Sequence, residues 1–211
     1  MQLLGHVSVI TRYPVKSLAG EELDEAEIAP GGIPGDRGSA FFVTAGHART
    51  GKTFRGKEHN LLHLTSDVRH AEVLAREKNA AVDLRHGDHF FDAAPISIVF
   101  NHWVDEVSAG VGRELDFRRW RPNFFATAAA GIHFKEDDLS GCVIEAGSAV
   151  LNVLRPILRC VVIGYDVQTG ESDPELVRYV AQERGNAFGI YCDVELAGVV
   201  RTGDPLRLRA R

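Results

Sequence analysis

With 45% hydrophobic and 25% charged side chains over 211 residues, the chain has the make-up of a soluble globular protein with enough apolar surface for one real core, and disorder is excluded. Its 24 basic and 29 acidic residues give a net charge of −5, which excludes the positive field of a general nucleic-acid binder. The three cysteines, Cys142, Cys160 and Cys192, are odd in number and far apart with no CxxC pair, so neither a disulfide framework nor a structural zinc site is expected.

The N-terminus, MQLLGHVSVITRYPVKS, breaks its apolar run at Gly5 and His6 and reads as neither a secretory signal nor a membrane span, so an intracellular, cytoplasmic protein without membrane partners is expected. Strands are predicted at Leu3 to Tyr13, Leu23 to Ile28 and Ser39 to Thr44, separated by Gly- and Pro-rich turns. The turn Pro30 to Gly38 holds four glycines and two prolines, which suits either a hairpin loop or a backbone that approaches a ligand. A helix is predicted over Ser66 to Lys78, and a hairpin over Ala81 to Phe91 turning at Gly87 and Asp88. Ile96 to Phe100 reads as a buried strand, and Asn101 as the cap of a short helix with Trp103, Val104 and Val107 on one face.

Further strands are predicted near Phe124 to Ala126, Cys142 to Glu145, Ala149 to Leu154 and Arg159 to Gly164, with a turn at Asp166 to Gly170. In SDPELVRYVAQERG, Asp173 caps a helix, Pro174 suits its first turn, Leu176, Tyr179 and Val180 share a face and Gly185 ends it. The strand Gly189 to Leu196, a turn at Gly203 to Pro205 and a terminal strand complete the chain. These elements make a mainly β protein with a few helices.

Four polar clusters lie at element boundaries: Lys16 and Ser17, Asp36 and Arg37, Arg121 and Asn123, and Arg159 beside Cys160. Brought together, they would grip a phosphate group; separately, each is an ordinary solvated charge. Cys160 follows a guanidinium that favours the thiolate, a soft metal ligand, although its local sequence alone favours a small buried hydrophobe. RRWRPN (Arg118 to Asn123) mixes cations with an indole able to stack a flat heterocycle. His59 and His63 lack an acidic residue between them and read as structural, and the acidic run Phe134 to Asp138 is either a carboxylate site or a solvated loop. Phosphate-loop, GxGxxG, HExxH and GxSxG signatures do not occur.

YPVKSLAG, GGIPGDR, DAAPISIV, RPNFF, FKEDD, LRCVVIGYDVQTG, FGIYCDV and GDPLRL follow one another in the order found in the MOSC superfamily, which the chain resembles nearly end to end. The superfamily is related to the C-terminal domain of molybdenum-cofactor sulfurase and to the amidoxime-reducing component. The resemblance implies a central β-barrel of the MOSC, pyruvate-kinase-barrel-like type with peripheral helices. It divides the chain into an N-terminal β segment, 1–95, and a MOSC domain, 96–211, packed as one unit over 1–211.

The resemblance also implies a molybdopterin-type molybdenum cofactor with Cys160 as metal ligand and catalytic residue. Lys16, Ser17 and Arg37 would hold the phosphate and pterin side, and Arg121, Asn123 and Arg159 would complete the polar wall. The implied activity is that of a molybdenum-dependent oxidoreductase reducing N-hydroxylated small molecules with electrons from an external donor protein, and Asp137 and Asp138 are candidate proton relays. The alternative is a non-catalytic carrier of the cofactor, or of sulfur as a Cys160 persulfide. Pyridoxal phosphate, flavin and iron-sulfur centres are not expected in this chain. At Asp92 to Pro95 it departs from the pattern, with Ala93 and Ala94 where cofactor-binding relatives would carry hydroxyls.

Overall fold

A computed structural model describes residues 1–209. The first strand, β1 (Gln2–Arg12), turns Leu4, Val7 and Ile10 inward. It pairs with the short β2 (Glu21–Leu23), while β3 (Glu25–Ile28) leaves that sheet to pair elsewhere, so the single strand expected over residues 23 to 28 is divided at Asp24. Next come β4 (Ser39–Ala45), α1 (Val68–Glu77) and β5 (Ala81–His86). Asp67 caps α1 by accepting the Arg69 amide, as its chemistry predicts. β5 pairs antiparallel with β4, not with residues 87 to 91, so the hairpin expected at Gly87 does not form. The turn composition at Gly87 and Asp88 marks the end of β5 without specifying its partner.

β6 (Ile96–Phe100) is buried at all five positions, and α2 (Asn101–Val111) follows at once. Phe100 occupies the cap position; Asn101 Oδ1 instead accepts the Ala128 amide at 2.8 Å, tying the helix to β7 (Phe124–Ala128). The remainder is β8 (Val143–Ala146), β9 (Ala149–Leu158), α3 (Pro174–Glu183), β10 (Ala187–Leu196), β11 (Gly198–Arg201) and β12 (Pro205–Leu208). Asp173 caps α3 through the Leu176 amide, and Gly185 takes the left-handed conformation just beyond its end. The strand expected over Arg159 to Gly164 is absent: β9 ends at Leu158 and Val161–Gly164 is a turn of 3-10 helix. Periodicity cannot separate a four-residue apolar run from a buried turn, and here the turn sinks Ile163 and Gly164 against the base of α3.

Seven strands in the order β12-β8-β9-β10-β6-β7-β1 close into a barrel through the pairing of β1 with β12. The closed circuit satisfies the strand edges internally. Gly5 permits the crowded β1–β7 crossing, where an added Cβ would meet Thr127 O at 2.1 Å. Inside lie Leu4, Ile98, Phe100, Phe124, Leu151 and Ile190, with α2 and α3 covering one side through Trp103, Val107, Leu176 and Val180. A smaller core under α1 joins Leu18, Phe41, Phe54 and Leu74 to the β4–β5 ribbon. Of the barrel pairings only β6–β7 is parallel, and it needs a long crossover. That crossover is α2 and the 3-10 turn Phe117–Trp120, which brings Arg119, Trp120 and Arg121 to the end of the barrel. No helix among the described residues is long and apolar enough to cross a membrane.

Candidate functional site

At that end of the barrel lies a cleft of about 290 Å³, and its wall contains Lys16, Ser17, Arg37, Arg121, Asn123, Arg159 and Cys160 together. Residues spread over 145 positions of sequence thus line one space, from the loop after β1, the glycine-rich turn, the α2–β7 crossover and the end of β9. The wall also contains Arg55, Lys57 and Tyr191, which sequence reasoning did not select, and Arg119, which it noticed only as part of RRWRPN. For Arg55 and Lys57 the available signal was FRGKE, two cations flanking a glycine.

Three of the cleft residues are held in the left-handed backbone region without being glycine: Ser17 (φ 73°), Arg37 (φ 48°) and Arg121 (φ 50°). They make up three of the five such residues described, and a conformation this sparsely populated persists only where the surroundings enforce it. The enforcement is visible in the hydrogen bonds. The Arg37 amide donates to Tyr13 O at 2.6 Å, and the Arg121 amide to Arg118 O at 3.1 Å. Arg37 and Arg121 both lie over the buried Tyr13 ring, 4.7 and 4.3 Å from its centroid.

The cations differ in how their charge is compensated. Arg37 Nη1 donates to Asp36 in a short contact, Arg55 to Glu58 at 2.9 Å, Arg119 to Asp166 at 2.7 Å, and Lys16 Nζ to Asp92 at 2.5 Å. Arg121 and Arg159 have no carboxylate partner among the described residues. Arg121 Nη2 donates to Leu18 O at 2.6 Å; Arg159 donates from Nε to Phe188 O at 2.7 Å and from Nη1 to Trp120 O at 2.8 Å. Burial pushes the Arg159 guanidinium down to about 10, and it lowers Arg121 too, helped by the neighbouring charge of Arg37. Arg159 Nη2 and Arg119 Nη1 are buried donors without an acceptor among the described residues. A buried cation short of counter-charge and hydrogen bonds gains most from a bound anion.

Asn123 plays a different part. It is 1% exposed, its Oδ1 accepts from the Ser97 amide and hydroxyl at 3.1 and 2.9 Å, and its Nδ2 donates to Thr11 O. It therefore braces β6, β7 and β1 behind the wall. Trp120 is also 1% exposed and stacks on Phe188 at 3.6 Å, so its indole is core and does not offer a face to a flat ligand. Cys160 is exposed in the rim, at the head of the 3-10 turn and not inside an apolar strand. Cys192 is fully buried, and its thiol is pushed far up by desolvation.

The acidic run lies elsewhere. Glu136 is a buried partner of Arg184 at 2.7 Å, and Asp137 and Asp138 belong to a separate 3-10 turn and do not line the cleft, which removes them as proton relays. His59 pairs with Glu77, and the described residues contain no group of three or more His, Cys, Asp or Glu arranged for a metal.

The MOSC domain model matches residues 85–207. The chain belongs to the MOSC family. Among solved structures, this MOSC protein is similar to the YuaD protein of Bacillus subtilis, with 19% identity over 100% of this chain and 98% of that one and a TM-score of 0.62. It also resembles YiiM from Geobacillus stearothermophilus, with 15% identity, 100% and 75% coverage and a TM-score of 0.52. Likeness at this level establishes the shared MOSC fold. No functionally curated protein matches the sequence. Lys16, Ser17, Arg37 and Arg55 lie outside the matched segment, while Arg119, Arg121, Arg159 and Cys160 lie within it.

Proposed function

We propose that the cleft binds a molybdopterin-type molybdenum cofactor, with Cys160 as the protein's ligand to the metal, and that the protein reduces N-hydroxylated compounds using electrons from a partner protein. The observation that carries the reading is the pair of half-buried guanidiniums, Arg121 and Arg159, that lack carboxylate partners among the described residues and line the same cleft as the exposed Cys160 thiol. Such a wall fits a ligand with an anionic end and a metal end, and the unsatisfied donors on Arg119 and Arg159 fit the same demand. When bound, the cofactor supplies the two-electron chemistry that removes oxygen from an N–O bond. The chain's own contribution is to fix position and charge. Arg121 and Arg159 hold the anionic end, Ser17 offers a hydroxyl, and Arg37 stays in place through Asp36 and Tyr13.

Metal analysis of protein purified from a cofactor-producing, molybdenum-replete host tests this. Wild type should hold close to one molybdenum per chain, and Cys160→Ser should lose most of it. Equal metal in both removes Cys160 from the role, and none in either overturns the cofactor reading. Loaded protein, given an artificial reductant, should then reduce an amidoxime. A carrier role for sulfur as a Cys160 persulfide is favoured by one observation, the exposure of the thiol on the rim. In that case intact mass would show one extra sulfur on Cys160, and the metal-loaded protein would turn over no N-hydroxylated substrate.

A further inference from the structure

Lys16 lines the cleft at 16% exposure, yet its ammonium is already engaged, with Asp92 Oδ1 2.5 Å from Nζ. The partner side chain is 74% exposed, so the carboxylate reaches in from the solvent side over a lysine that is walled in. Asp92 is the only carboxylate among the described residues that line the cleft, a lining that also includes seven cations. The carboxylates on Arg37, Arg55 and Arg119 come from Asp36, Glu58 and Asp166, which lie outside the lining and act as scaffold.

Asp92 rides on the link between β5 and β6, residues 87–95, whose Phe90, Phe91 and Ala94 also line the cleft. The link is tethered to the glycine-rich turn by the Gly87 amide donating to Gly38 O at 3.1 Å and the Phe90 amide donating to Arg37 O at 2.8 Å. Lys16 is anchored too, its amide donating to Ser39 O at 2.8 Å. Although partial burial pushes the Asp92 carboxyl up, Lys16, with help from Arg37 and Arg55, holds it below the usual carboxylate range.

We infer that Asp92 is a built-in competitor for the anion site: in the ligand-free cleft its carboxylate occupies Lys16, and an incoming anion must displace it to gain that contact. The inference deepens, and rests on, the reading of the cleft as an anion site. Its consequence is an affinity set by exchange. Lys16 trades one negative partner for another, and only ligands that also engage the uncompensated Arg121 and Arg159 gain by entering. Weak, singly bound anions are turned away.

Calorimetric titration of the full-length protein with inorganic phosphate tests the exchange. Asp92→Asn should bind phosphate roughly two- to fivefold more tightly than wild type, the scale of an ion pair with one exposed partner. Asp92→Ala should agree with it, and in a Lys16→Met background the gain from Asp92→Asn should vanish. Phosphate bound equally by wild type and Asp92→Asn, or more weakly by the variant, overturns the competitor while leaving the anion site intact. No phosphate binding by any variant overturns both.

Discussion

Asn123 shows how a residue that lines a cleft can be committed to the framework behind it. Its polar atoms are spent on Ser97 and Thr11, so truncation leaves a buried amide and a buried carbonyl without partners. Asn123→Ala should cost about 2–4 kcal/mol, seen as a lower urea midpoint with an unchanged slope. Sequence showed the polar character of Arg37, Arg121 and Arg159, because fixed charges next to glycine, proline and strand ends stand out from an apolar background. Their compensation was hidden. Lys16 and Asp92 are 76 residues apart, and Arg119 and Asp166 47 apart, and no local pattern records such pairings. The uncompensated charge of Arg121 and Arg159, which carries the functional reading, emerges only once every other partner is known.

At the scale of elements, residues with one local role were readable, and residues whose role depends on distant partners were not. Asp173 was recognisable as a cap because a cap needs only the next turn of its own helix. Asn101 has cap chemistry but is claimed by β7, and the Val161–Gly164 run has strand composition but is claimed by the base of α3. Asp173 also carries a testable pH signature. Partial burial raises its carboxyl, but the Arg113 guanidinium, at 2.6 Å, and the Leu176 amide outweigh this and hold it below its ordinary 3.8. A depressed folded value means stability that is fully present above about pH 4 and is lost as pH falls through the lower folded value. Asp173→Asn should therefore flatten the acid limb of the stability profile and cost about 1 kcal/mol at neutral pH, measured by thermal unfolding across pH. A second test concerns β10. Gly189 sits at φ +81°, with Arg159 Nη2 3.0 Å from where a Cβ would stand. Gly189→Ala should destabilise the fold by about 1–2 kcal/mol and also weaken phosphate binding, because Arg159 would be displaced.

The whole barrel depends on a strand that lies outside the family-matched segment. β1 sits between β7 and β12, and removing it would open the circuit and strip Leu4, Val7 and Ile10 from the core. A fragment of residues 85–207 is expected to lack cooperative thermal unfolding, whereas the full chain unfolds in one transition, a difference that calorimetry would register. The mainly β class was legible because strand signals and turn residues alternate along the chain; the barrel was implied by the family resemblance, and its closure, which joins Gln2 to Leu208, is recorded in no local pattern. Counting Asp36, Glu58 and Asp166 with the cations they pair, the cleft holds seven cations and four carboxylates, +3, and of the 24 basic and 29 acidic residues 17 and 25 remain, so the rest of the molecule carries −8. Charges are screened beyond about 8 Å in physiological salt. The cleft is thus an electropositive spot on an acidic particle, and a small anion such as phosphate is expected to enter it more readily than a long polyanion that must also lie along the exterior.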